Sequence, residues 1–136
     1  MRKLLAALIL FAAALFVVAA LAARLWGSDA GSGIKGVVLD TSCPEPCAEP
    51  PPPPQPYTGD GLTVRVRRLP SLRLVSVRHP TDGHFRVRTG PGRYRMRAFV
   101  GDPQKPSCWE DEAKHVRVYK GDFTRVRLHV QNACVV

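Results

Sequence analysis

The residues of this chain best suited to chemistry are its four cysteines, its four histidines and a set of arginines that recur at every second position. Cys43-x3-Cys47 and His79-x4-His84 each carry zinc-ligand spacing, since thiolate sulfur and imidazole nitrogen close a tetrahedral site from pairs a few residues apart. The gap between the two pairs exceeds that of a zinc finger, and the competing chemistry is oxidation. An even number of cysteines in an exported chain reads as a disulfide framework. Of the three pairings open to four cysteines, closeness in sequence favours Cys43 with Cys47, and Cys108 with Cys134 then staples a late loop to the C-terminus. His79, His84, His115 and His129 are scattered over strand ends and outward positions. There is no His-Glu-x-x-His, no Gly-x-Ser-x-Gly and no glycine-rich phosphate loop. No catalytic residue, cofactor or metal is therefore assigned. Glu110-Asp111-Glu112 lacks the spaced ligands of a calcium loop and reads as a solvated bend.

Charge is the stronger signal. The formal net charge is +9, and setting aside Arg2, Lys3, Arg24 and Asp29 leaves 17 basic against 10 acidic residues, +7, on the remainder. Much of it falls in alternating rows: Arg65 and Arg67; Arg86 and Arg88; Arg93, Arg95 and Arg97; Arg117; Arg125 and Arg127. Arginine matches carboxylate and phosphate with a planar fork of donors, so these rows suit an anionic envelope polymer, a lipid head group or an acidic protein face. They equally suit a plain solvated sheet. The expected anion-binding face is centred on Arg86, Arg88, Arg93, Arg95 and Arg97, with acids such as Asp82 and Glu110 as its neutralising neighbours.

The elements that must position these arginines are strands. His84 to Arg88 and Arg93 to Ala98 alternate at period two around Thr89-Gly90-Pro91-Gly92, which predicts a β-hairpin. Phe85, Val87, Tyr94, Met96 and Ala98 take the core side and the five arginines the other. Earlier in the chain, Ile34 to Leu39 makes a first strand and Leu62, Val64 and Val66 mark a second. Leu72 to Arg78 is its partner, an edge or bulged strand because Leu74 and Val75 are adjacent apolar residues and Ser76 interrupts the pattern. Val116 and Val118 define a sixth strand, Lys120-Gly121-Asp122 a turn, and Val126, Leu128 and Val130 a seventh. Residues 44–56, rich in proline, form an extended loop, since proline lacks the amide donor a sheet needs.

Thr81-Asp82-Gly83-x-Phe85-x-Val87 followed by Pro91-Gly92-x-Tyr94-x-Met96, with an opening Gly33-Ile34-x-Gly36-x-Val38 strand, resembles the carboxypeptidase regulatory-like domain, a prealbumin-like (transthyretin-like) sandwich. The resemblance implies a seven-stranded antiparallel β-sandwich over residues 31–136 that binds or supports rather than catalyses. It names no ligand.

Met1-Arg2-Lys3 and the uncharged apolar run from Leu4 to Ala23 form an export element preceding the domain, and Gly27 to Gly33 tether it. The run counts 20 residues, the length of a spanning helix. Ala20-Leu21-Ala22 and Ser28-Asp29-Ala30 nevertheless offer small residues for signal cleavage. Residues 1–30 are thus a signal peptide or an N-terminal hydrophobic membrane anchor, and the rest is extracytoplasmic. The roughly 100 residues that follow suffice for one domain. The sequence points to an exported, non-catalytic binding or structural module, anchored or secreted, with no nucleic-acid partner and no assigned oligomeric state. Its rivals are an accessory domain steering an acidic substrate to a separate enzyme, and a periplasmic metal-binding protein.

Overall fold

Alternating runs become strands throughout residues 31–134, which together with residues 13–14 and 17–18 are those the computed structural model describes. The expected N-terminal helix and tether, residues 1–30, otherwise lie outside the described residues; among these, no helix is long and apolar enough to cross a membrane. The strands are β1 (Gly33–Asp40), β2 (Gln55–Pro56), β3 (Leu62–Arg68), β4 (Arg73–Arg78), β5 (His84–Arg88), β6 (Gly92–Val100), β7 (Trp109–Glu110), β8 (Glu112–Val118) and β9 (Phe123–Asn132). Among the described residues nine strands stand where seven were expected, the additions being the two-residue β2 and β7. One sheet runs β2-β1-β9-β7 with β5 also on β1, and the other runs β4-β3-β6-β8. Their facing sides share one core, in which Ile34, Val87 and Leu128 of the β1 sheet meet Val64, Tyr94 and Met96 of the β6 sheet. All six are essentially inaccessible to solvent.

Two expectations fail in instructive ways. The arrangement is not wholly antiparallel, because β1 and β9 pair in parallel from Gly33 opposite Phe123 to Asp40 opposite Val130. No tight turn joins these strands, so nothing forces the reversal a hairpin imposes. Nor do β5 and β6 form a hairpin. β5 pairs with β1, β6 pairs with β3 and β8, and Gly90-Pro91 carries the chain from one sheet to the other. Phe85 and Val87 therefore meet Tyr94, Met96 and Ala98 across the core, not alongside them. A buried polar cluster pins this corner: Ser32 Oγ donates to the Thr89 carbonyl (3.0 Å), Thr89 Oγ1 to Tyr94 Oη (2.8 Å), and Tyr94 O–H to the Gly90 carbonyl (2.6 Å). Each bond satisfies a group that would be costly to bury unpaired.

The edges are managed as the sequence suggests. β4 is the edge of its sheet, and its register against β3 slips between Val66 and Arg67, leaving Val75 as the extra residue of a bulge. Elsewhere side chains plug open backbone groups: Arg78 Nε donates to the Arg86 carbonyl, Lys114 Nζ to the Arg127 carbonyl (2.8 Å) and Thr124 Oγ1 to the Arg117 carbonyl (2.6 Å). The prolines from Pro50 to Pro54 are exposed, and the loop returns to the sheet as β2 along Leu39 and Asp40. Tyr57 then anchors it, its ring edge-on to Trp109 at 5.4 Å.

The bridges are Cys43–Cys47 and Cys108–Cys134, with no free cysteine among the described residues. Non-reducing mass spectrometry of the denatured protein should find no alkylated thiol. Breaking Cys108–Cys134, whose partners are 26 residues apart, should cost about 1.5 kcal/mol more than breaking the four-residue Cys43–Cys47 link, because the longer loop restrains the unfolded chain more. Equal midpoint shifts for Cys108→Ser/Cys134→Ser and Cys43→Ser/Cys47→Ser in urea would contradict this.

Candidate anion-binding faces

Alternation places Arg65 and Arg67 on the outward side of β3, and Arg93, Arg95 and Arg97 on the outward side of β6. The antiparallel register then sets Arg65 opposite Arg97, Arg67 opposite Arg95, and, between β6 and β8, Arg93 opposite Arg117. Neighbouring strands lie about 4.8 Å apart, so like charges are held side by side. Arg65, Arg67, Arg95 and Arg97 together line a small hollow of about 150 Å³.

The four are not equivalent. Arg65 and Arg97 both lie over the Phe99 ring, at 5.0 and 5.3 Å from its centroid, and Arg97 Nε pairs with the Asp111 carboxylate. Aromatic faces and one acid thus restrain that pair. Arg67 donates to the Leu72 carbonyl at 3.0 Å, and neither it nor Arg95 has an ion-pair partner among the described residues. Four guanidinium groups, each a planar fork of donors, restrained by strands and facing one carboxylate, suit a multiply charged oxyanion.

The expected five-arginine face is not one surface. Arg93, Arg95 and Arg97 belong to the β6 sheet, whereas Arg86 and Arg88 project from the opposite side of the sandwich on β5. The error follows from the missing hairpin. Arg86 lies over the Phe123 ring at 3.9 Å, close to Lys35, which faces it across β1 and β5. Lys35 is absent from the expected set, although its place between Ile34 and Gly36 in an alternating run was the signal for it. The expected neutralising acids also differ: Asp82 sits by His84, and Asp111 rather than Glu110 meets Arg97.

The alternative metal reading loses its sulfurs, since Cys43 and Cys47 are joined to each other. His79 Nδ1 lies 3.3 Å from Thr63 Oγ1, and His84 Nδ1 3.1 Å from the Asp82 carbonyl. Among the described residues no three or more His, Cys, Asp or Glu side chains converge as metal ligands.

The acidic bend instead works as a clamp. Glu112 on β8 accepts from the His129 backbone N–H (2.7 Å) and lies 3.0 Å from His129 Nδ1, with Lys114 Nζ at 3.5 Å. Burial alone would raise its carboxyl pKa, but the hydrogen bonds from His129 and the charge of Lys114 prevail and hold it below its ordinary 4.5. A folded pKa below the unfolded one contributes stability fully above the unfolded value, and that contribution is lost as pH falls through the lowered folded value. Thermal melts from about pH 6 to about pH 3 should therefore show a steeper loss below the ordinary carboxylate range for the native chain than for Glu112→Gln. Parallel curves would remove the clamp.

No family model matches the chain, and no curated protein matches it at a significant level. The likeness to carboxypeptidase regulatory-like domains accordingly stands on the quoted residues alone.

Proposed function

We propose that this domain is a non-catalytic binding module of an extracytoplasmic compartment, and that it holds linear anionic polymers on the outward face of the β6 sheet. The observation that carries the reading is the cross-strand pairing of Arg65 with Arg97 and Arg67 with Arg95, among which the one ion pair within the described residues is Arg97 with Asp111. Opposed like charges weaken a sheet by about 0.2 to 1 kcal/mol a pair, so a chain that retains them without matching acids is arranged for an external counter-charge. Two disulfides support an oxidising setting, and the apolar run from Leu4 to Ala23 supports export, whether as anchor or as cleaved signal. The carboxypeptidase regulatory-like pattern supports a scaffold without chemistry of its own.

The test is titration of the full-length oxidised protein, in non-ionic detergent, with long-chain polyphosphate over a series of salt concentrations. Affinity should fall steeply as salt rises, because binding releases condensed counterions and screening shortens to about 10 Å at 0.1 M. Absence of binding at low salt, or binding indifferent to salt, would reject the proposal.

A further inference from the structure

The β1 sheet also turns a cationic face to solvent, on the opposite side of the sandwich. Its charge is ordered by register. Lys35, at the centre, is opposite Arg86 of β5 on one side and level with Arg125 of β9 on the other, so Arg86, Lys35 and Arg125 form one row across three strands. Strand spacing sets them about 4.8 Å apart. The next row reads His84, Val37, Arg127. Together these six residues line a shallow trough of about 760 Å³ whose walls include no carboxylate. Arg86 is held in place by the Phe123 ring beneath it. Asp82 stands at one end of the face, 3.9 Å from His84 Nδ1, and Glu112 beyond the other rim is already engaged by His129 and Lys114.

Stacked sheets lie about 10 Å apart, and with outward side chains on both sides the two sets of guanidinium groups are separated by roughly 20 Å. No single phosphate or carboxylate can touch both. We infer that the domain is bivalent: each face takes a segment of a linear polyanion, and one molecule joins two polymer chains. This rests on the proposed binding by the β6 face and adds the second site and the cross-linking that results from it. Effective concentration favours the arrangement, since a domain held by one face presents the other to neighbouring chains at high local concentration.

Mixing the full-length protein with long-chain polyphosphate, and separately with polygalacturonate, should give light scattering that rises to a maximum at an intermediate ratio. Scattering should fall again when polymer is in excess and each face finds its own chain. Scattering with polyphosphate alone assigns phosphate as the recognised group, and with polygalacturonate alone, carboxylate. Two variants separate the faces: Lys35→Ser/Arg86→Ser/Arg125→Ser and Arg67→Ser/Arg95→Ser, each checked for an unchanged β spectrum. Each should still bind polymer through its intact face, at roughly tenfold lower affinity, and neither should cross-link. Wild type that binds but forms only one-to-one complexes at every ratio overturns bivalency while leaving the β6 site standing. Cross-linking that survives in the Lys35 variant overturns it too, whereas wild type that fails to bind rejects both readings together.

Discussion

Replacing Arg67 and Arg95 by serine should make the domain more stable and at the same time weaken its hold on anionic polymer. The two side chains are directly opposed on β3 and β6, with no ion-pair partner among the described residues. Relief of one such pair is expected to raise unfolding stability by about 0.2 to 1 kcal/mol at low salt. The gain should vanish near 1 M salt, where the screening length falls to about 3 Å. Polymer affinity should drop about tenfold at low salt, and the slope of log K against log salt should flatten by roughly 1.5 as two contacts are lost. Opposite signs for stability and binding are the signature of a face kept charged for an external partner. Arg65 and Arg97 are the poorer pair for this test, because removing them also removes their contacts with Phe99 and Asp111, whereas Arg67→Ser gives up one exposed hydrogen bond to the Leu72 carbonyl. Should Arg67→Ser/Arg95→Ser lower stability, or leave polymer binding unchanged, the arginines are a solvated surface only.

The second large effect is structural. Gly36 sits mid-strand on β1, opposite Phe85 on β5 and level with Val126 on β9. A Cβ there would strike the Val126 carbonyl oxygen and lie 2.9 Å from Phe85 Cζ. One collision is with backbone and cannot be relieved by a rotamer change, so Gly36→Ala must part β1 from β9 or drive Phe85 out of the core. We expect a loss of at least about 3 kcal/mol, a large part of a small domain's margin, and a fall in melting temperature of more than about 12 °C. Gly121→Ala is the contrast. Its φ is +76° and nothing lies within 4 Å of its built Cβ, so only the backbone strain of about 1 kcal/mol applies. Similar melting temperatures for the two variants would mean that β1 is not packed as described.

How far the sequence was legible depended on the range of the signal. Period two told correctly which side of the β5 and β6 runs is buried: Phe85, Val87, Tyr94, Met96 and Ala98 are all core residues. It could not say which sheet a run joins, since two strands facing each other across a core show the same pattern as two strands side by side. That ambiguity alone split the arginine face. The β4 bulge was readable because adjacent Leu74 and Val75 break a local rule, and the disulfide pairing because proximity constrains it. The parallel β1–β9 ladder left no such trace, because it is fixed by packing between distant segments. Lys35, a single cation in an apolar strand, became part of a row only once its neighbours on both sides were known.

That ladder has a consequence for how the chain reaches its native state. β1 is the first of the described strands and β9 the last, yet β9 lies against β1 along its whole length, from Gly33 to Asp40. Until the final strand is available, one side of β1 has no partner, and the β1 sheet lacks Val126, Leu128 and Val130 from its core face. Contacts of such wide sequence separation form late, because loop closure must precede any gain from pairing. A chain emerging from its N-terminus therefore leaves this sheet open until β9 has followed, and the sandwich locks shut only when the first and last described strands meet.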